Sequence, residues 1–556
     1  MTENQQGIFG IDLGTTYSVV GYVDEAGRPS VTRNSAGADT TPSVVYFESP
    51  TSVVVGQSAK EAAGQDPDNV VALIKREMGN KDYRRTCHGT EHTPPSISAI
   101  ILEALATDAE ADLGRRVDRA VITVPAYFGL LERDATRQAG EIAGLDVIGI
   151  VPEPVAAALH YGITGSADGT TILVFDLGGG TFDVSLMRMT EDRIEVVATG
   201  GDHHLGGADW DEKLLAHLVD EVTAQVGDDT IRDDEALLQT FRLLAERTKR
   251  DLTAMETKKL VIREAGKPVT LSVTRDEFEQ LTAELLEETV RITRRTLEAA
   301  EDASPGSTRT IDEVLLVGGA SRMPAVAEIL RKEFGWEPKL TDPDLAVAKG
   351  AALYAAGRAV KIWEAEHGDD PSAGDTTGAA VAAIAAATGI PSDRLGRIAA
   401  RETVNVIPKA IGVKLVDSTV PGWPDHPRAH YVEHLVEANT QLPYTADTLH
   451  AGTVEDNQEI VEIELWEQAG AVKSRDLGEN HLVDNGAKCI EGIPPLPAGS
   501  AIDVDLTVDN EGTVSVRAIE PVSGRDLTFS VRISIMTTEQ VAQAKQVQGG
   551  LTISSY

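Results

Sequence analysis

Two stretches of the chain carry nearly the same chemistry: residues 8–18 read IFGIDLGTTYS and residues 173–184 read LVFDLGGGTFDV. Each is an apolar run that ends in an aspartate and passes into glycines and threonines. Asp12 and Asp176 would then stand at strand ends, where a carboxylate suits a phosphate-bound Mg2+ with its water shell. Glycine lets successive backbone N–H groups converge on a concavity that fits phosphate oxygens. Thr15, Thr16 and Thr181 add hydroxyl donors at the same place. Two such turns facing each other would grip a triphosphate from both sides, which gives the repetition a purpose.

The elements needed to position these residues are short. Each copy reads as strand, tight turn, strand: GIDLGTTYSVVGYV and VFDLGGGTFDVSLM. A third motif, EVLLVGGASRMPAV at 313–326, runs from an apolar strand through Gly318 and Gly319 into a helix expected to begin near Ser321. That turn lets a base and ribose approach the backbone, and Arg322 could stack on the base. A fourth, GGDHHLGGADWD at 200–211, sets a glycine pair before a helix. Its adjacent His203 and His204 point different ways and have no ligand cluster around them, so no metal site is expected there.

The chain of 556 residues is too long for one core, so two to four domains are expected. Apolar content of 42% and charged content of 25% are those of a globular protein. Lys and Arg number 50 against 88 Asp and Glu, a net charge of -38, which argues against nucleic acid as a partner. Two cysteines, Cys87 and Cys489, cannot build a disulfide framework. The opening MTENQQG has no signal-peptide character, and no run reaches eighteen apolar residues. The expectation is an acidic, cytoplasmic, multidomain protein without membrane association.

From about residue 401 the texture becomes period-two alternation. EIVEIELWE, AIDVDLTV and RDLTFSVRISI each alternate, and DNEG turns the second into TVSVRAI. Several short strands with turns between them predict an antiparallel β-sandwich with one buried face.

These motifs, together with AVITVPAYF (120–128), PEPVAAALHYG (152–162) and DPDLAVAKGAA (342–352), occur in the order seen in the heat-shock seventy-kilodalton chaperones, and the chain resembles that DnaK-like family across residues 8–357. The resemblance implies an α/β, actin-like, two-lobed ATPase domain (1–362) with a central nucleotide cleft, followed by an antiparallel β-sandwich domain (401–535). It implies ATP and ADP as nucleotides, Mg2+ as the metal and K+ as a candidate second cation. Carried over by motif, Lys75, Glu153, Asp176 and Thr181 are the catalytic group, and Asp12, Asp176 and Asp183 hold the hydrated metal. The nucleotide would be contacted by Gly14, Thr15, Thr16, Tyr17, Gly178, Gly179, Gly180, Thr181, Gly206 and Gly207, and by Gly318, Gly319, Ala320 and Arg322. Glu246, Lys249, Arg250 and Thr253, spaced along one helix face, match the family's adenosine clasp. ANTQLPYTA (438–446), VEDNQEIVEIEL (454–465) and GIPPLPAGSAIDVDLTVDNEGTVSVRA (492–518) resemble the peptide-binding β-domain, with Val413, Leu415, Val416, Val461 and Ile463 at groove positions.

The chain also departs from the family pattern. Residues 363–400 read as a variant linker or insertion: a polar loop, then two short helices with Ser392 as a cap. Asn405 stands at the family's linker-aspartate position. Residues 536–556 read as a short tail with one helix capped by Thr537 and Gln540, too short for the family's helical lid. Gly129 and Leu130 in PAYFGLL, and Gly149 and Pro152 in VIGIVPEP, alter the surface that meets J-domain co-chaperones in family members, so weak stimulation by such partners is expected. The leading expectation is an ATP-dependent chaperone for extended apolar polypeptide segments. The alternatives are an ATP-regulated adaptor for one dedicated protein partner and, behind it, an actin-fold small-molecule kinase.

Overall fold

The computed structural model describes residues 7–164, 169–227, 229–264, 267–367, 376–423, 425–483, 488–510, 512–531 and 535–555. Its first two-thirds contain the same sheet twice. In one copy, β1 (Gly7–Asp12), β2 (Tyr17–Val23), β3 (Pro29–Val31), β4 (Val117–Val124) and β5 (Asp146–Pro152) lie in the order 5-4-1-2-3. In the other, β6 (Thr170–Leu177), β7 (Phe182–Met189), β8 (Arg193–Asp202), β9 (Glu313–Val317) and β10 (Lys339–Leu340) lie in the order 10-9-6-7-8. In both, the first three strands are an antiparallel meander and the last two join in parallel. The repeated motif is the first hairpin of each copy.

Helices cover the sheets: α1 (Pro94–Leu113), α2 (Leu130–Ile142), α3 (Glu153–Thr164), α4 (Gly207–Val226), α5 (Glu235–Ala254) and α6 (Ala346–His367). α3 and α6 lie between the two sheets and share a core with Ile8 and Val121 of one and Ile172, Val174 and Met187 of the other. Their small residues permit the approach: a Cβ on Gly350 would fall 1.7 Å from the carbonyl oxygen of Ala156. Each lobe has a further core of its own, one around Phe9, Phe47 and Phe128, the other around Phe175, Trp210 and Phe241.

Of the expected linker or insertion at 363–400, residues 368–375 of its polar loop lie outside the described residues, and the described helical parts pack on the lobes. α6 runs past 362 to His367, and α7 (Thr376–Thr388) and α8 (Ser392–Ala400) bury Ala380, Ile384 and Leu395 in the inter-sheet core. Ser392 is the first helical residue and not a side-chain cap. β11 (Glu402–Val404) then joins β8 in parallel, and the backbone carbonyl of Asn405 accepts from the N–H of Leu442.

The β-domain carries a four-stranded and a five-stranded antiparallel sheet. Ile411, Leu465, Val504, Leu506 and Val516 belong to its core. EIVEIELWE is not one strand: Ile460–Ile463 pairs with Lys488–Glu491, whereas Leu465–Gln468 joins Ile411–Val416 in the four-stranded sheet. In RDLTFSVRISI the strand spans Arg525–Val531, and Ile533 lies outside the described residues.

The segment read as a tail is packed. α9 (Thr538–Gln548), capped by Thr537 and Gln540, lies on α1 and α2, and Thr552–Ser555 forms a parallel strand beside Ser52–Val55. No helix among the described residues is long and apolar enough to cross a membrane.

Candidate functional site

The turns after β1 and β6 meet face to face. A Cβ on Gly179 would fall 2.0 Å from the Thr16 hydroxyl, and one on Gly180 2.1 Å from a Thr15 methyl, so glycines are what let the turns touch. The N-terminus of α4 docks beneath the second turn, with Gly207 N–H donating to the Gly178 carbonyl at 2.9 Å and Ala208 N–H to Gly179 at 2.8 Å. Gly318, at φ +80°, sits against the end of β6, where a Cβ would meet the Leu177 carbonyl oxygen at 2.4 Å. The expected helix start near Ser321 is displaced: Gly319–Arg322 is a 3-10 turn and the helix begins at Pro324. The Ser321 hydroxyl instead bridges the Val317 carbonyl and the Leu177 N–H, tying β9 to β6.

Above these turns lies a cleft of about 800 Å3 between the lobes. Asp12, Lys75, Glu153, Asp176 and Thr181 line one end; Glu246, Lys249, Arg250, Thr253, Gly318, Gly319, Ala320 and Arg322 line the other, with Gly14, Thr15, Thr16, Tyr17, Gly178, Gly179 and Gly207 between. Gly180, Gly206 and Asp183 stand behind the wall. Gly206 packs on Gly180, and Asp183 accepts the Tyr127 N–H at 2.9 Å.

At the Asp12 end the Lys75 ammonium contacts Glu153 at 2.5 Å, both buried. Asp12, Asp176 and Asp183 stand near this single cation. Burial and the charge of Glu153 push Asp12 up to about 7 and Asp183 up to about 8. Burial, Glu153 and Asp183 hold Asp176 well above its ordinary value. So many carboxylates around one ammonium suit a hard divalent cation. Among the described residues no three acidic, His or Cys side chains close on one point tightly enough to ligate a bare ion.

The opposite end is tied across the cleft by charge. Lys60 of the first lobe pairs with Glu246 of the second, and Arg250 donates to both Glu246 and the Tyr17 hydroxyl at 2.7 Å while lying 5.0 Å over the Tyr17 ring. Lys249 donates to the Gly207 carbonyl at 2.6 Å and contacts Asp211 at 2.8 Å. Sequence reasoning missed Lys60, Asp211 and Arg76; Arg76 donates to the Gly180 carbonyl and Asp209, bracing the second turn. No local pattern marks any of the three.

The five expected groove residues differ in burial. Val413 and Ile463 are buried in the β-domain core, Leu415 and Val461 pack against it half-buried, and Val416 is half-buried at the end of its strand. His203 packs half-buried against Tyr127 and Phe128, and His204 takes no part in the cleft.

A family model described as Hsp70 protein matches residues 8–87, 82–361 and 426–548. The chain is 37% identical over 540 residues to the chaperone protein DnaK of Thermotoga petrophila and to that of Thermotoga maritima, covering 96% of this chain and 81% of each relative. The same protein of Thermotoga neapolitana is 36% identical over an equal span.

Proposed function

The chain belongs to the Hsp70 family as a DnaK-like chaperone, and from that premise we propose that it hydrolyses ATP in the inter-lobe cleft to control binding of extended apolar polypeptide segments by its β-domain. The observation that carries this reading is the buried Lys75–Glu153 pair at the end of a cleft floored by two facing Gly/Thr turns.

Phosphoryl transfer to water asks for positioning and charge neutralisation more than for covalent help. In this reading Thr15, Thr16, Thr181 and the turn amides hold the phosphates, and Glu246, Lys249, Arg250 and Arg322 enclose the adenosine. Lys75 orients the attacking water and faces the γ-phosphoryl, with Glu153 fixing the ammonium. Asp12 and Asp176, backed by Asp183, would hold a hydrated Mg2+, whose contribution is to neutralise phosphate charge. Replacing Lys75 by Ala should lower kcat about 10²–10³-fold while ATP binding stays within a few-fold. Hydrolysis at the wild-type rate in that variant would end the proposal.

The finer proposals concern the β-domain. Val413, Leu415, Val416, Val461 and Ile463 line or support its peptide groove. Stimulation by J-domain partners is weak, because Glu467 of the β-domain accepts the Leu130 N–H at 3.0 Å and stands where a side chain on residue 129 would be. A labelled apolar peptide should leave faster with ATP in the wild type and not in Thr181→Ala; release indifferent to ATP would favour the dedicated-adaptor reading. Strong acceleration of ATPase turnover by a J-protein would contradict the partner proposal.

A further inference from the structure

Residues 45–55 fold into a small sheet on the first lobe, with Val45–Ser49 between Val70–Val71 and Ser52–Val55. Ser52–Val55 would be an outer strand, with its unpaired backbone open to any extended chain. It is covered instead by Thr552–Ser555, running parallel in the register Thr552↔Ser52 to Ser555↔Val55. The Thr552 N–H donates to the Thr51 carbonyl at 2.8 Å. Side chains add to this backbone pairing. Ser555 donates to buried Asp108 at 2.5 Å, the Ser35 hydroxyl reaches the Ser555 carbonyl, and Leu551 and Ile553 pack on the lobe core beneath Val53 and Phe47.

The residues leading to this strand are fastened to the same lobe. Ile535 packs on the cores of both the β-domain and the first lobe. Met536 and Gln138 exchange two hydrogen bonds, of 3.2 and 3.1 Å. α9 places Gln548 on the Ala99 carbonyl and Glu103. The route from the last β-domain strand to Ser555 is therefore held at three places on the first lobe. The acceptor strand is followed directly by Gly56 and the helix Gln57–Ala62, which carries Lys60 into the cleft.

We propose that Ser52–Val55 is the acceptor of a peptide-strand site on the first lobe, that residues 551–555 are its ligand, and that this strand addition fastens the β-domain to the ATPase lobe. The ligand class is an extended segment with alternating apolar and hydroxyl side chains: Leu551 and Ile553 face the core, and Ser555 meets the Asp108 carboxyl. Main-chain pairing supplies affinity and the alternate side chains supply specificity. The proposal does not depend on catalysis.

Hydrogen exchange of the whole chain tests it, beside a chain ending at residue 548 and Ser554→Pro, which removes the next N–H on the paired side. In the full chain the amides of 52–55 should be protected at all protein concentrations. In both variants the amides of Val53 and Val55, the ones that face the added strand, should exchange about tenfold faster or more, together with 130–133 and 465–468 at the domain interface. Adding a synthetic peptide of residues 549–556 to the shortened chain should restore protection at Val53 and Val55. Unchanged exchange at these two amides in the shortened chain overturns the site. Loss confined to them, with the interface still protected, overturns the fastening. Protection that fades on dilution of the full chain assigns the strand to a second copy and overturns the intramolecular reading.

Discussion

At Gly206 an added Cβ would lie 2.5–2.7 Å from three backbone atoms of Gly180, so only glycine fits where α4 begins beneath the second turn. Backbone cannot yield there without moving the turn that faces Thr15 and Thr16. Gly206→Ala should therefore weaken ATP binding by about tenfold or more, as a displaced phosphate cradle would, with the fold retained; calorimetry of nucleotide binding checks it. Gly396 in α8 is the control, since nothing lies within 4 Å of its Cβ position. Gly396→Ala should leave binding unchanged and stabilise the chain by about 0.5–1 kcal/mol through helix propensity. The two facing turns were legible in the sequence because they are built from glycines, threonines and an aspartate that are neighbours in the chain. Lys60 was not equally legible: it meets Glu246 across the cleft, and a lone lysine on a short helix carries no pattern that names a partner. The expected groove residues are a different case, since alternation marks a buried face and cannot say whether that face meets a ligand or a second sheet.

The two copies of the five-stranded sheet could be anticipated only as a repeated hairpin, because the parallel strands β4 and β9 are separated from their partners by long stretches and their register is set by packing. α7 shows a stricter limit. Its sequence, TTGAAVAAIAAAT, is apolar nearly all round, so no stripe separates a buried from an exposed face and the segment reads as a spacer. In the structure Ala380 and Ile384 pack with Leu395 into the core shared by both sheets, where small side chains let α7 approach α6. Ile384→Ala and Leu395→Ala should each destabilise the ATPase lobes by about 2–5 kcal/mol, the range for buried large-to-small changes. A spacer would tolerate either within about 0.5 kcal/mol. Thermal unfolding followed with and without nucleotide distinguishes the two. A drop in the nucleotide-sensitive transition places 376–400 in the ATPase domain.

The domains meet through a cluster that neither half contains alone: buried Lys409 and Glu467 of the β-domain, with half-buried Glu132 of α2 and His203 after β8. The Lys409 ammonium lies 3.1 Å from Glu132, and His203 lies 3.8 Å from the same carboxylate. Arg133, Tyr127 and His481, the last opposite Glu467 on its paired strand, also face Glu467 and Lys409, while Asp202 and His204 stand near His203. Burial raises both glutamates, but Lys409 and His203 bring Glu132 below its ordinary value, so Glu132 holds the charge. Glu467 is pushed up to about 7 by burial, which outweighs the pull of Lys409. His203 is pushed down to about 4 by burial and then by Lys409. The signs oppose. Glu467 binds a proton in the folded chain that it would release when unfolded, so its contribution to stability is lost as pH rises from 4.5 to about 7. His203 stays neutral when folded and would be protonated when unfolded, so its contribution grows as pH rises from about 4 to 6.5. Across their common range the two nearly cancel, so this pair adds almost no net slope of its own there. Single substitutions should uncover each slope. Relative to wild type, Glu467→Gln should gain melting temperature steadily from pH 5 to pH 7 and then level off, with a total of about 3 kcal/mol at most. His203→Gln should show its largest relative gain at pH 4–5 and lose it by pH 7. A Glu467→Gln difference that is flat in pH would mean that Lys409 keeps both glutamates ionised, and that the interface is held by a charged triad instead of a shared proton.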